Sequence, residues 1–307
     1  MLLMVSVALI GLFTSHEKGF KFRFQSEMPG LVADLEWNPS DDVDKACKLI
    51  YPYSPYCKIY KGAPASVALL GDSQANQLFY GLSEAYASRG KNLVQLGVAG
   101  CPPLLGIRPS PEFKSDKFGR WCEIYDDLLT SVVNDKNINT VILAANWHLY
   151  FLGTRYVDKG DNPKKRISFA SFEGSELKSN EIILNQHLSS TLGMLLKAGK
   201  NVIFVKQVPE LNFSPRKCRV LTVLDNLTGC YLAAPDVKKY LKEYELIIDP
   251  VLKNFAKVDI WEPVQFFCDA NNCKVIGDQA LLYRDESHLS RHGSKYFASQ
   301  IFHSRAK

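Results

Sequence analysis

Five short apolar runs, residues 67–70, 92–98, 140–145, 201–208 and 258–261, alternate along this chain with stretches of helical periodicity. A strand with one face in water alternates polar and apolar residues, whereas these runs are apolar almost throughout, as strands of a parallel sheet buried on both faces are. The first helix is expected over 74–89, where Leu78, Leu82, Ala85 and Tyr86 share a face before Gly90 closes it. Further helical patterns fall at 121–133, 180–198, 234–256 and 289–306. The fold class is therefore α/β, a three-layer α/β/α sandwich with a central parallel sheet of about five strands. At 307 residues and 46% hydrophobic content the chain can bury such a core. Strands that feed helices through loops at their C-terminal ends put Ser73, Gly100 and Asn146 on one edge of the sheet, where open α/β sheets bind ligands.

Two short motifs lie far apart: Gly71-Asp72-Ser73-Gln74 behind the first strand, and Asp285-Glu286-Ser287-His288-Leu289-Ser290 near the C-terminus. A serine becomes nucleophilic when an imidazole takes its proton, and a carboxylate on the other ring nitrogen orients and stabilises that imidazole. Taken alone, Asp72 or Ser73 would be a helix N-cap. With the second motif, Ser73, His288 and Asp285 form a candidate nucleophile, base and orienting acid. Asp285 and His288 are three residues apart, which places them on one face of a tight or helical turn. His292, one turn deeper, is the competing base. The Ser73 amide at the helix start, the side-chain-free Gly100 and the strand-end amide of Asn146 are candidate oxyanion donors. A Gly-x-Ser-x-Gly elbow, a Walker A loop, Gly-x-Gly-x-x-Gly and His-Glu-x-x-His are all missing, which removes the commoner serine-hydrolase, nucleotide and zinc-protease readings. No metal site is expected.

The net charge of +5 is spread among 32 acidic residues, so no nucleic-acid surface is expected. Eight cysteines fall in four local couples, 47 with 57, 101 with 122, 218 with 230 and 268 with 273, none of them Cys-x-x-Cys. That points to disulfides and an oxidising compartment, although spacing leaves their connectivity open. Residues 2–13 are apolar and uncharged but shorter than a membrane span and without a cleavage site. Residues 1–13 are read as the remnant of a transmembrane helix or as a signal anchor, 14–63 as a linker packing on the domain, and 64–307 as the catalytic domain. Lys164-Lys165-Arg166 sits in a long connection over 153–179 and reads as a solvated loop.

The order GDS, strand-end Gly, strand-end Asn and Asp-x-x-His resembles the SGNH (GDSL-like) hydrolase superfamily, with Ser73, Gly100, Asn146 and His288 at its name-giving positions and Asp285 as the acid. The blocks Leu69-Leu70-Gly71-Asp72-Ser73, Ala99-Gly100-Cys101-Pro102-Pro103 and Ala144-Ala145-Asn146-Trp147, with the run from Asp285 to Gly293, are similar to the extracytoplasmic SGNH domain fused to membrane acyltransferase family 3 proteins. The resemblance implies a flavodoxin-like fold and O-acyl transfer, usually of acetyl, to a sugar hydroxyl of a surface glycan such as lipopolysaccharide O-antigen. The site would lie on the periplasmic side of the bacterial inner membrane, in a monomer. It implies no cofactor in this domain, the acyl group, derived from acetyl-CoA, being supplied through the membrane domain in cis. Carbohydrate O-acetyl esterase and non-catalytic glycan-binding module are the alternatives. Gln74 replaces the histidine that often follows the motif serine, and Ala145-Asn146-Trp147 departs from the usual Gly-x-Asn-Asp.

Overall fold

A computed structural model of the protein describes residues 2–16, 44–60, 64–110, 122–155, 167–169, 179–218, 230–278 and 280–305. Its elements in chain order are α1 (Leu2–His16), α2 (Lys45–Ile50), β1 (Tyr56–Ile59), β2 (Val67–Gly71), α3 (Ser73–Ala87) and β3 (Leu93–Gly97). Then come α4 (Ile124–Asn134), β4 (Thr140–Ala144), α5 (Trp147–Leu152), α6 (Asn180–Lys197), β5 (Asn201–Val205), β6 (Tyr231–Ala233), α7 (Ala234–Lys253) and β7 (Asp259–Trp261). The chain ends with α8 (Val264–Phe267), β8 (Asn272–Lys274), β9 (Ile276–Gly277), β10 (Ala280–Leu281) and α9 (Arg291–Ser304).

Every residue of β2, β3 and β4 is buried, the signature of a sheet covered on both faces. The sheet order is β1-β3-β2-β4-β5-β7, with all pairs parallel except β1 on β3. The five parallel strands are those the apolar runs predicted. The sixth, β1, lies within the segment read as a linker and pairs Tyr56 with Gly97 and Ile59 with Val94. Successive strands step from β2 to β3 on one side and then to β4 on the other. Right-handed crossovers in both directions place α3 on one face and α4 and α6 on the opposite one, and leave a crevice at the C-terminal end of β2.

α3 pairs closely with α9 on one face. Their axes approach at Gly81, where an added Cβ would lie 2.1 Å from the Ser294 carbonyl oxygen, and the Gly81 amide donates to Ser294 Oγ at 3.0 Å. Gly293, one residue earlier in α9, makes the same kind of approach to the segment before the helix, where a Cβ would stand 1.9 Å from the Leu282 carbonyl oxygen. Beyond β5, Lys206 is nearly buried between Asp249 and Glu262, each 2.9 Å from its ammonium. Burial would lower its pKa, but these carboxylates and Glu245 override that and raise it, so the ammonium ties β5 to α7.

All four local cysteine couples are bridged: Cys47–Cys57, Cys101–Cys122, Cys218–Cys230 and Cys268–Cys273. The first fastens α2 to β1. The second holds the turn that follows β3 against the start of α4. A 21-residue loop closed this way is stabilised by about 3 kcal/mol through the unfolded state. The double variant Cys101→Ala/Cys122→Ala is therefore expected to lose about 3 kcal/mol of unfolding free energy, measured by urea titration, and a loss below about 1 kcal/mol would contradict this account.

α1 carries Met4, Val5, Val7, Ile10, Leu12 and Phe13, each more than half exposed. Its 15 residues extend about 22 Å. Among the described residues no helix is long and apolar enough to cross a membrane. The start of the helix expected at Trp121 and the run Lys164-Lys165-Arg166 lie outside the described residues.

Candidate active site

β2 ends at Gly71, where an added Cβ would stand 1.7 Å from the Ala144 carbonyl oxygen of β4. Glycine there lets the two strand ends close up as the chain turns into α3. Asp72 caps that helix by accepting from the Gln74 amide at 2.7 Å, and Ser73 opens it. First-turn amides have no intrahelical acceptor and sit in the positive end of the helix dipole, so the Ser73 N–H can stabilise a developing oxyanion.

Asp72 is fully buried. Its second oxygen accepts from the Asn146 amide at 3.1 Å and from the Tyr150 hydroxyl. Burial raises its pKa from the ordinary carboxylate value, although the hydrogen bonds from Tyr150, Gln74 and Asn146 and the charge of His288 all oppose this. The residue that reads as an N-cap is one, and it also locks the ends of β2 and β4 together.

Ser73 Oγ lies 2.8 Å from His288 Nε2. The other ring nitrogen, Nδ1, lies 2.9 and 3.0 Å from the two oxygens of Asp285. Asp285 Oδ1 also accepts from the backbone amides of Ser287 and His288 at 2.9 and 2.8 Å, which folds 285–288 into a tight turn with both side chains on one side. Burial alone would raise the Asp285 pKa. The hydrogen bond and charge of His288, the Ser287 amide and the Arg284 guanidinium outweigh it and hold the carboxyl well below the usual carboxylate range. Asp285 is thus ionised at neutral pH and acts as an acceptor for Nδ1–H, leaving Nε2 to receive a proton from Ser73. His288, and not His292, is the histidine that meets Ser73.

Two glutamines of α3 that the sequence reading did not bring together grip the backbone on either side of His288. Gln74 Nε2 donates to the Ser287 carbonyl at 2.7 Å, Gln77 Nε2 donates to Gln74 Oε1 at 2.5 Å, and Gln77 Oε1 accepts from the Leu289 amide. Both are buried. A pair of glutamines three apart on the apolar face of a helix was the available signal. Gln77→Ala would leave the buried Leu289 N–H without its acceptor, at a cost of about 1–3 kcal/mol. Freed from the clamp, His288 is expected to drift, and Ser73 reactivity toward a fluorophosphonate to fall by about tenfold or more. Unchanged labelling kinetics in this variant would show that the clamp does not position His288.

Asn146 caps α5, its Oδ1 accepting from the Leu149 amide at 3.1 Å. Its Nδ2 donates to Glu210 Oε1 at 3.0 Å, and Glu210 Oε2 accepts from Tyr240 at 3.0 Å. One of the two amide hydrogens is therefore committed to Glu210, an acid just past β5 that the sequence reading passed over. Trp147, part of the Ala145-Asn146-Trp147 departure, is fully buried. It stacks on Phe204 with ring centroids 4.6 Å apart and donates to the Val205 carbonyl at 2.8 Å. Gly100 lies past the end of β3 in the left-handed region, φ +75°, beside the bridged Cys101. Ser73, His288 and Asp285 thus meet at hydrogen-bond distance, while Gly100 and Asn146 follow the ends of β3 and β4, the two strands beside β2. Among the described residues no group of three or more His, Cys, Asp or Glu side chains could hold a metal ion.

The model of the SGNH domain fused to AT3 domains matches residues 40–302. Among solved structures, the periplasmic domain of a lipopolysaccharide acetyltransferase from Salmonella ser. Paratyphi A superposes with a TM-score of 0.55 at 18% identity, over 80% of this chain and 85% of that one. A GDSL-like lipase from Bacteroides thetaiotaomicron superposes more loosely, with a TM-score of 0.38 at 12% identity over 78% of this chain and 86% of that one. No curated protein sequence matches the chain.

Proposed function

Since the chain belongs to the family of SGNH domains fused to AT3 domains and is an enzyme of that type, we propose that it transfers an acetyl group to a sugar hydroxyl of a cell-surface glycan such as lipopolysaccharide O-antigen. The observation that carries this reading is the continuous chain from Ser73 Oγ through His288 to the ionised Asp285. The name of the Salmonella domain of like fold agrees with it.

In the first half-reaction Ser73 Oγ attacks the acetyl carbonyl while His288 Nε2 takes its proton and Asp285 steadies the imidazolium. The oxyanion rests on the amides of Ser73 and Gly100 and on the remaining N–H of Asn146 Nδ2. Collapse expels the donor's leaving group, which takes the proton from His288, and leaves an acetyl ester on Ser73. In the second half His288 removes the proton of a sugar hydroxyl, whose oxygen attacks the ester carbonyl. Ser73 departs with that proton, and the sugar ester is released. This domain needs no cofactor. The acyl group reaches it through an AT3 membrane domain in cis, on the periplasmic side of the inner membrane, where the disulfides are stable.

The test is to incubate the purified chain with p-nitrophenyl acetate and a deacetylated O-antigen polysaccharide, beside Ser73→Ala. Mass spectrometry should find acetyl ester on the glycan only with intact Ser73. Free acetate with no glycan ester would replace transfer by hydrolysis, and no Ser73-dependent turnover of the ester would remove the proposed chemistry from the isolated chain.

A further inference from the structure

The loop after β5 is stitched to the histidine turn, the Leu211 amide donating to the Glu286 carbonyl at 2.6 Å. Between these two segments and the start of the connection after α5 lies a half-open cleft of about 380 Å³, lined by Arg155, Glu210, Asn212, Phe213, Ser214, Glu286 and Ser287. Ser287 adjoins His288, and Glu210 at the floor accepts from the side-chain amide of Asn146, whose backbone N–H in turn donates to Asp72, the neighbour of Ser73. The cleft therefore opens beside the reacting groups on the β4–β5 side of the sheet.

Its lining suits one class of molecule. An acyl chain of any length needs an apolar tunnel, and here a single phenyl ring stands among a guanidinium, carboxylates, an amide and hydroxyls. Arg155 stands against the carboxylates of Glu210 and Glu286, and both oxygens of Glu210 already accept from Asn146 and Tyr240, so the lining is not built to hold an ion of one sign. One aromatic face with several donors and acceptors fits a polyol ring, whose axial C–H bonds pack on the phenyl group while its hydroxyls pair with the polar rim.

We propose that this cleft is the acceptor subsite and takes one uncharged pyranose ring. Phe213 lies against the ring, Asn212, Ser214 and Arg155 bond its hydroxyls, and one hydroxyl is presented to His288 Nε2. The proposal rests on the transfer reading above and deepens it. Glu210 has a further part as a positioning residue: it borders the bound sugar and also aims the Asn146 amide, so occupancy of the cleft and alignment of the oxyanion donor are linked.

Binding is measured with the Ser73→Ala protein, full length, by titrating methyl glycosides of the common hexoses and following the side-chain amide signal of Asn212. At least one glycoside should shift that signal, and Asn212→Ala and Phe213→Ala in the same background should each weaken its affinity by about tenfold. Asn212 is exposed, so its truncation does not threaten the fold. Shifts confined to other residues, no shift with any hexoside, or unaltered affinity in both folded variants would overturn the subsite. Two failures are distinguishable. Glycoside bound in the cleft while active protein transfers no acetyl to sugar rejects the transfer reading and keeps the subsite. Transfer to glycan that neither cleft variant alters rejects the subsite and keeps the transfer reading.

Discussion

Replacing His288 by alanine is expected to lower Ser73-dependent ester turnover by about 10⁶-fold, and Asp285→Asn by about 10⁴-fold. The two numbers differ for a structural reason. Without His288 nothing at 2.8 Å can take the Ser73 proton, and the hydroxyl reverts to the reactivity of an ordinary alcohol. Asparagine at 285 keeps a polar group beside Nδ1 but offers no carboxylate. The ring can then take the tautomer with its proton on Nε2, where the base must be vacant, and an imidazolium loses its counter-charge. Stopped-flow measurement of nitrophenol release separates acylation from deacylation and checks both values. Residual activity within about tenfold of wild type for His288→Ala would reject the assignment of the base.

The depressed pKa of Asp285 adds a sign that can be worked out. A carboxyl whose pKa is lower folded than unfolded stabilises the native state fully above the unfolded value, and that contribution disappears as pH falls through the folded one. Asp285 should therefore remain ionised at mildly acidic pH, and its loss of charge should not limit activity there. In Asp285→Asn the unfolding free energy should depend less steeply on pH below about 4 than in the wild type, since one carboxylate that resists protonation in the native state is gone.

The second large effect belongs to a residue remote from the chemistry. Gly81→Val puts a branched side chain where even a Cβ would lie 2.1 Å from the Ser294 oxygen, 2.4 Å from its carbonyl carbon and 2.8 Å from the Lys295 amide. All three are backbone atoms of α9, so no side chain can swing aside; the helix must move. Ser73 is at the start of α3, and His288 is three residues before the first residue of α9, so parting the two helices parts nucleophile from base. Displacement of reacting groups by about 1 Å costs about 100-fold in rate, and overpacking of this kind costs about 1–3 kcal/mol or more in stability. Both should be seen together, as a lower melting temperature and slower fluorophosphonate labelling of protein that remains folded. Normal labelling in a destabilised Gly81→Val protein would mean that the histidine turn is held by its own contacts and by the glutamine clamp, independently of the α3–α9 spacing.

The five parallel strands were legible because each is an uninterrupted apolar run, and α3, α6, α7 and α9 because their periodicity spans several turns. β1 was not: Tyr56-Cys57-Lys58-Ile59 is four residues in a stretch rich in proline and polar groups, and only its pairing with β3 makes it a strand. Nor was α5, six residues from Trp147 that are buried nearly all round and so show no amphipathic period. The four cysteine couples were visible as local pairs, while their bonding depended on backbone that brings Cα atoms within bridging distance.

The candidate site divides in the same way. Gly71-Asp72-Ser73 and the turn from Asp285 to His288 are local designs, in which capping, a tight turn and side chains three apart are written in consecutive residues. Those patterns were enough to single out Ser73, His288 and Asp285 as candidates, and the structure brings the three side chains together. The closure of Ser73 on His288 across more than two hundred residues, the grip of Gln74 and Gln77 on the histidine backbone, and the commitment of Asn146 to Glu210 are non-local hydrogen bonds. A chain read residue by residue carries periodicity and local turn chemistry, because those depend on near neighbours. Which polar groups pair across the core depends on how α3, α9 and the strand ends pack, and that comes into being only when the whole sheet is assembled.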